Sequence, residues 1–268
     1  MKLYVQRLGK GFPFIILHGL YGSGDNWLTI AKSLSGLCEV FLVDQRNHGR
    51  SPHSDKHDYQ SLASDLLEMM NDLGLSRAVI LGHSMGGKAA MWFAAQNPSR
   101  VSRLIIADIS PRSYVDGTPE NDHSAFHQKV MESMLSVDFT RVNGLGDIDR
   151  QLAIRLPDRK LRQFLLKNIG KATGTGFFWR LNLPVLLRNL DNLSSGLESF
   201  LAEGKSFNQF PVLFIRGENS HYIVEPDLVM IKRLFPDAQV VTIRNAGHWL
   251  HAEQPEAVVA IIKKQIVS

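Results

Sequence analysis

A serine lies at the centre of a glycine-flanked motif, Gly82-His83-Ser84-Met85-Gly86, which follows the apolar run 78–81 and precedes the helix-like stretch 88–95. A sharp turn between a strand and a helix holds such a serine in a strained backbone that lifts its hydroxyl above the sheet edge. The flanking glycines allow strand and helix to approach closely. The five-residue pattern alone is weak evidence, because glycine and serine are common residues. Its place between strand and helix makes Ser84 the predicted nucleophile.

The predicted base for this serine is His248. A serine hydroxyl is a weak nucleophile at neutral pH and needs a base within hydrogen-bond reach. Of the ten histidines, His248 is the best placed, because the segment 246–249 follows the last predicted strand and precedes the last predicted helix. Its imidazole can therefore lie over the sheet edge near Ser84. A surface turn is the alternative for this segment, and His251 is the nearby competitor for the role.

A carboxylate must orient the base, and Asp108 is the predicted acid. It directly follows the strand-like run 104–107, so its carboxylate is expected at the same sheet edge as the serine. The commoner position for the acid follows the next strand, where Ser220 stands in place of an aspartate. Glu218 and Glu225 remain alternatives, and capping of the following segment is the structural alternative for Asp108.

A tetrahedral intermediate also needs two backbone N–H donors aimed at its oxyanion. We expect these from Leu20, in the turn after the strand 14–17, and from Met85 next to the serine. Neighbouring side chains are expected to line the substrate pocket or to support these donors; they are His18, Tyr21, His83 and Trp249. The polar turn 44–52 is predicted to be scaffold.

The predicted nucleophile, base, acid and N–H donors can meet only if they follow strands whose ends lie at one edge of a sheet. Six apolar runs are typical of strands buried on both faces: 13–17, 40–43, 78–81, 104–107, 212–215 and 240–243. The segment 2–6 adds an edge strand. Helical patterns lie between the runs, at 27–34, 59–73, 88–96, 228–235 and 255–266. The alternation predicts an α/β fold with a mostly parallel sheet of about seven strands and helices on both faces.

The alternation breaks between about Ser110 and Phe210, where no convincing strand is found. Helical patches lie there instead, at 122–134, 148–156 and 158–169. Loops that leave the carboxyl ends of parallel strands surround the ligand site in open α/β sheets, so we predict a helical cap over the pocket. The predicted domains are a core of residues 1–109 and 211–268 and a cap insertion of residues 110–210.

Composition argues against several classes of protein. A net charge of +4, with acidic residues spread throughout, gives no reason to expect nucleic acid or an anionic membrane as partner. Cys38 is the only cysteine, so an internal disulfide is excluded and a reducing, cytoplasmic location is expected. The segment 1–7 lacks the apolar stretch of a secretory signal, and no window resembles a membrane span. We expect a monomer or a dimer.

Several segments together resemble the α/β-hydrolase fold family over essentially the whole chain; they are 18–23 with 26–27, 44–51, 82–88 and 246–249. The subgroup they look most like is that of small bacterial carboxylesterases and thioesterases related to abhydrolase domain-containing 11 proteins. That subgroup carries its acid after the sixth strand, and the segment 108–111 matches it, so the resemblance also implies Asp108. The segment 178–182 resembles the part of the family's cap that faces the substrate. The resemblance thus implies Trp179 as an acyl-pocket residue, with packing inside the cap as the alternative.

The activity implied by the resemblance is that of a serine carboxylesterase acting on a small-molecule ester or thioester, with no metal and no organic cofactor. Seven basic residues against one acidic residue between Arg150 and Lys171 could attract a phosphorylated carrier such as coenzyme A, which makes an acyl-CoA thioesterase the first alternative. A solvated helix face explains these charges equally well. A non-catalytic protein that binds a small ligand on the same scaffold is the second alternative. Serine at position 84 argues against dehalogenases and epoxide hydrolases, which need a carboxylate nucleophile, while a carbon–carbon bond hydrolase or a lyase stays open.

Overall fold

The computed structural model of this chain describes residues 1–114, 123–172 and 176–267. Strands in these ranges are β1 (Tyr4–Leu8), β2 (Pro13–Leu17), β3 (Glu39–Asp44), β4 (Ala78–His83), β5 (Val101–Ala107), β6 (Ile169–Lys171), β7 (Phe177–Trp179), β8 (Val212–Gly217) and β9 (Gln239–Ile243). In this described part, seven strands form one sheet in the order β1-β3-β2-β4-β5-β8-β9. Strand β1 is antiparallel to β3, and the other neighbours are parallel. The predicted α/β class with a mostly parallel sheet is confirmed.

Helices cover both faces of this sheet. The helices are α1 (Leu28–Leu34), α2 (Tyr59–Asp72), α3 (Met85–Gln96), α4 (His123–Leu135), α5 (Leu145–Ala153), α6 (Arg159–Leu166), α7 (Leu183–Arg188), α8 (Leu190–Ser194), α9 (Glu198–Ala202), α10 (Asp227–Leu234), α11 (Leu250–Glu253) and α12 (Pro255–Val267). Alternate residues of β2 point to opposite cores, Ile15 to the one formed with α2, α3 and α10 and Ile16 to the one formed with α1 and α12. A strand buried on both faces therefore reads as a continuous apolar run.

The first strand lies two residues later than predicted. It spans Tyr4–Leu8, because Tyr4 pairs with Asp44 and Leu8 with Val40 across the antiparallel ladder to β3. The other predicted strands of the sheet are all present, with ends that differ by up to three residues.

Between β5 and β8 the described chain is mainly helical: α4 to α8 contribute to a third apolar core, and α9 packs against the core formed with α2, α3 and α10. It also contains an antiparallel pair, β6 with β7, which contradicts the expectation that this stretch holds no strand. A Cβ on Gly170 would lie 2.4 Å from the ring of Phe178, so the pair depends on that glycine. The division of the chain into a core and a cap at residues 110 and 210 remains a prediction. No helix of the described ranges is long and apolar enough to cross a membrane.

Candidate active site

Ser84 occupies a strained turn between β4 and α3. Its backbone has φ 53° and ψ −121°, outside the conformations that a residue with a side chain prefers. A Cβ on Gly82 would lie 2.2 Å from the carbonyl oxygen of Gly86, and a Cβ on Gly86 would lie 2.4 Å from that of Leu17. Both positions therefore require glycine. The strand, turn and helix are those predicted from the motif.

Asp108 and His248 come together at the same edge of the sheet. Asp108 follows β5 and is completely buried, and His248 lies in the loop after β9. The imidazole Nδ1 donates to Asp108 Oδ2 over 2.8 Å. The backbone N–H of Gly217 donates to Oδ1 over 2.9 Å, and the hydroxyl of Ser220 donates to Oδ2. Since Nδ1 carries the hydrogen, the Nε2 of neutral His248 is left as an acceptor.

The two alternative acids, Glu218 and Glu225, have partners other than His248. Glu218 accepts a hydrogen bond from the backbone of Asn245 over 2.9 Å, and Glu225 pairs with Arg216 over 3.1 Å on the surface. The competing histidine, His251, is buried, and burial lowers its pKa to about 3. Among the described residues, only Asp108 of the three predicted acids makes a hydrogen bond to His248.

The imidazole of His248 is held on two sides by aromatic rings. The ring of Tyr222 stacks on it with centroids 3.8 Å apart at 19°, and the ring of His83 lies 4.7 Å away. His83 Nε2 also donates to the backbone carbonyl of His248 over 2.8 Å. Burial holds the pKa of His83 well below its usual range, so the ring is a neutral support.

Two cavities meet at Ser84. The first, called here the His248 cavity, has about 520 Å³ of empty space, part of it open to solvent, and its walls include Leu20, Phe164, Tyr222 and His248. The second, called the Lys88 cavity, has about 410 Å³ of such space; its walls include Leu20, Met85, Lys88, Ile109, Leu190 and Leu193. Ser84 lines both cavities, whereas His248 lines the first and is absent from the walls of the second.

Most of the predicted pocket residues lie in the His248 cavity; they are His18, Tyr21, His83 and Trp249. Leu20 lines both cavities, and Met85 lines the Lys88 cavity. Both backbone N–H groups proposed for the oxyanion therefore belong to residues close to Ser84. The turn that carries Leu20 lies against the serine, since a Cβ on Gly19 would be 3.0 Å from the Cβ of Ser84.

Trp179 and His18 have structural partners. The indole N–H of Trp179 donates to the carbonyl of Met134 over 2.9 Å, and Trp179 lies in the walls of neither cavity as far as the described residues define them. This placement favours packing inside the helical segment, the alternative given above, and the assignment of Trp179 to the acyl pocket stays a prediction. His18 accepts a hydrogen bond from Gln45 N over 3.0 Å, and burial lowers its pKa. It therefore supports the turn that precedes Leu20.

Several site residues were missed from the sequence. Phe126, His127 and Phe164 reach the cavities from α4 and α6, and only the packing of those helices brings them there. Lys88 could have been found, because it lies four residues after Ser84 on α3 and faces the same side of the helix. In the described ranges, no group of three or more acidic, histidine or cysteine side chains could hold a metal ion.

Comparison with known proteins identifies the family. Residues 13–255 match the model of the alpha/beta hydrolase fold. The chain is 39% identical to the sn-1-specific diacylglycerol lipase ABHD11 of Mus musculus, over 90% of this chain and 76% of that one. It is 32% identical to Esterase YbfF of Escherichia coli, over 97% of this chain and 95% of that one. A solved structure described as a marine microorganism esterase is 41% identical and superposes with a TM-score of 0.90 over 98% of both chains. These matches confirm the family resemblance, and the chain belongs to the alpha/beta hydrolase fold family as a hydrolase of the esterase and lipase type.

Proposed function

We propose that this protein is a serine carboxylesterase that hydrolyses esters through an acyl-enzyme on Ser84. The observation that carries the proposal is the 2.8 Å hydrogen bond from His248 Nδ1 to the buried Asp108, in a cavity that Ser84 also lines. A serine, a histidine with a free Nε2 and an orienting carboxylate are the parts that acyl transfer to water requires.

The reaction begins when His248 Nε2 takes the hydroxyl proton of Ser84 and the oxygen attacks the ester carbonyl. Asp108 stabilises the imidazolium that forms, and the amides of Leu20 and Met85 hold the oxyanion. The imidazolium then gives its proton to the departing alcohol. The acyl group remains bound to the Ser84 oxygen. Water, deprotonated by the same imidazole, releases the acid and restores the serine.

The two cavities are assigned to different parts of the substrate. The departing alcohol must lie beside His248, because it receives its proton from that ring. His248 lines the first cavity and not the second. The alcohol is therefore assigned to the His248 cavity, and the acyl chain to the Lys88 cavity on the other side of Ser84.

The proposal is tested with p-nitrophenyl esters of increasing acyl length and with diethyl p-nitrophenyl phosphate, which phosphorylates activated serines irreversibly. We expect multiple-turnover hydrolysis and one phosphoryl label per chain on the peptide that contains Ser84, with turnover lost in step with labelling. Protein unfolded before the reagent is added is the control, since the label requires the assembled site. A binding protein on this scaffold would show neither sustained turnover nor the label.

A second candidate function is hydrolysis of a thioester whose leaving group carries phosphate. A groove with about 1170 Å³ of space, much of it open to solvent, adjoins the His248 cavity and shares Phe164, Trp249 and His251 with it. Lys160 of α6 and Lys167, which directly follows that helix, line this groove, and neither forms an ion pair among the described residues. Coenzyme A thioesters have a leaving group of this kind, and their phosphates would lie on the leaving-group side assigned above.

Replacing both groove lysines tests this second candidate. In Lys160→Gln/Lys167→Gln, we expect kcat/KM for acetyl-CoA relative to p-nitrophenyl acetate to fall by about threefold to tenfold, because each exposed charge contributes about 0.2–1 kcal/mol. The matched control is Lys263→Gln/Lys264→Gln on α12, which removes the same charge away from the groove. An unchanged ratio in the groove variant, or an equal fall in the control, would exclude a phosphate site there.

A further inference from the structure

A buried lysine stands in the wall of the cavity assigned to the acyl chain. The side chain of Lys88 is 1% exposed and lines the Lys88 cavity together with Ser84. The proposed reaction does not use this ammonium group. Removing a charge from water is costly unless a group of opposite charge compensates it, so a cation in this position requires a physical explanation.

The partners of Lys88 are neutral. Its Nζ donates to the carbonyl oxygens of Ser194, over 3.3 Å, and of Ser195. It also lies over the ring of Tyr114, 4.7 Å from the centroid. An ammonium has three N–H donors, and these carbonyls take two of them. No carboxylate among the described residues forms an ion pair with it, so the charge is held by dipoles and a ring.

The titration of Lys88 agrees with an incompletely compensated charge. Burial lowers its pKa to about 7, while the field of Glu198 raises it and that of Arg112 lowers it further. Glu198 itself accepts a hydrogen bond from the backbone of Ser113. A carboxylate brought into the cavity would supply an ion-pair partner that Lys88 does not have among the described residues.

The position of Lys88 matches the far end of a short acyl chain. The backbone N–H of Lys88 donates to the carbonyl of Ser84 over 3.1 Å, so the two residues are one helical turn, about 5.4 Å, apart along α3. The cavity walls include the apolar side chains of Leu20, Ile109 and Leu193, together with tyrosine and histidine rings. An acyl group bound to Ser84 would thus pass apolar side chains before it reaches the ammonium.

We propose that the enzyme is selective for acyl groups that end in a carboxylate, that is, for half-esters or half-thioesters of short dicarboxylic acids. The carboxylate pairs with Lys88 Nζ while two or three methylenes fill the apolar part of the Lys88 cavity. This inference rests on the proposed ester hydrolysis at Ser84, and Lys88 acts in it as a specificity-determining residue.

The test compares two substrates that differ in charge alone, monoethyl glutarate and its terminal amide, ethyl glutaramate. Because a charge-assisted hydrogen bond replaces a neutral one, we expect the native protein to show a kcat/KM about 10- to 100-fold higher for the half-ester. In Lys88→Gln, which keeps a donor and removes the charge, the ratio of the two values is expected to fall to about one. Lys129→Gln, an exposed lysine of α4, should leave the ratio unchanged.

The outcomes separate this inference from the function on which it rests. If the native protein hydrolyses both esters with equal kcat/KM, or if Lys88→Gln keeps the preference, the carboxylate site is wrong while the esterase stands. If the native protein hydrolyses no ester and Ser84 takes no label, the proposed function itself fails. The comparison on the native protein is decisive even if Lys88→Gln fails to fold, which circular dichroism will show.

Discussion

Replacing Ser84 with alanine is expected to lower kcat for ester hydrolysis by about a million-fold, the largest effect of any single change in this chain. The variant loses the atom that attacks the carbonyl, and the polar groups around it cannot replace that atom. Alanine adopts the backbone of residue 84, φ 53°, at a cost similar to that of serine, so we expect the fold to survive.

The measurement is steady-state hydrolysis of p-nitrophenyl acetate by Ser84→Ala, with thermal unfolding recorded on the same sample. Ser33→Ala, an exposed serine of α1, is the matched control and should retain native turnover. Residual activity above about 1% that is still blocked by diethyl p-nitrophenyl phosphate would show that another residue is the nucleophile.

The serine turn is predictable because its determinants are local. Gly82 and Gly86 are needed within a few residues of Ser84, where the backbones of β4, α3 and β2 almost touch. The predicted meeting of Asp108 and His248 spans 140 residues, yet it follows from one rule, since both residues follow parallel strands and the carboxyl ends of such strands share an edge.

The helical segment between β5 and β8 is less predictable, because its short elements depend on contacts distant in sequence. Strands β6 and β7 have three residues each, too few for an alternating pattern to be recognised. Helix α6 ends at Leu166 and not at Ile169, since Ile169 begins β6. The side chain of Asn168 there donates to the carbonyl of Tyr21 over 2.8 Å.

The role of Trp179 is difficult to predict for the same reason. A tryptophan in such a segment can face either the substrate or the segment's own core, and its hydrogen bond to Met134 places it in the core. Conversely, His127 carries no sequence signal, and it reaches both cavities because α4 packs over Tyr21, whose hydroxyl lies 3.2 Å from the His127 Nδ1.

Asp108→Asn is expected to lower kcat by about ten thousand-fold while the fold is kept. Gly217 N–H donates to Oδ1 in the native protein, so the amide of asparagine will keep its oxygen on that side. Its NH₂ group then faces His248 Nδ1 and donates to it. His248 must carry its hydrogen on Nε2 instead, and in that tautomer it cannot accept the proton of Ser84.

This reasoning predicts a spectroscopic change as well as a kinetic one. In the ¹⁵N spectrum of the histidine rings, His248 should change from the Nδ1–H tautomer in the native protein to the Nε2–H tautomer in Asp108→Asn. A merely structural role of Asp108 would reduce thermal stability without producing this exchange, so the spectrum separates the two roles.

The matched controls are Glu218→Gln and Glu225→Gln, which remove the other two carboxylates considered for the role. Glu218 binds the backbone of Asn245 and Glu225 pairs with Arg216 at the surface, so each variant should keep kcat within about threefold of the native value. A ten thousand-fold loss in either control, with Asp108→Asn still active, would transfer the orienting role to that glutamate. Since the His248 ring donates to Asp108 across 2.8 Å, we expect the loss in Asp108→Asn alone.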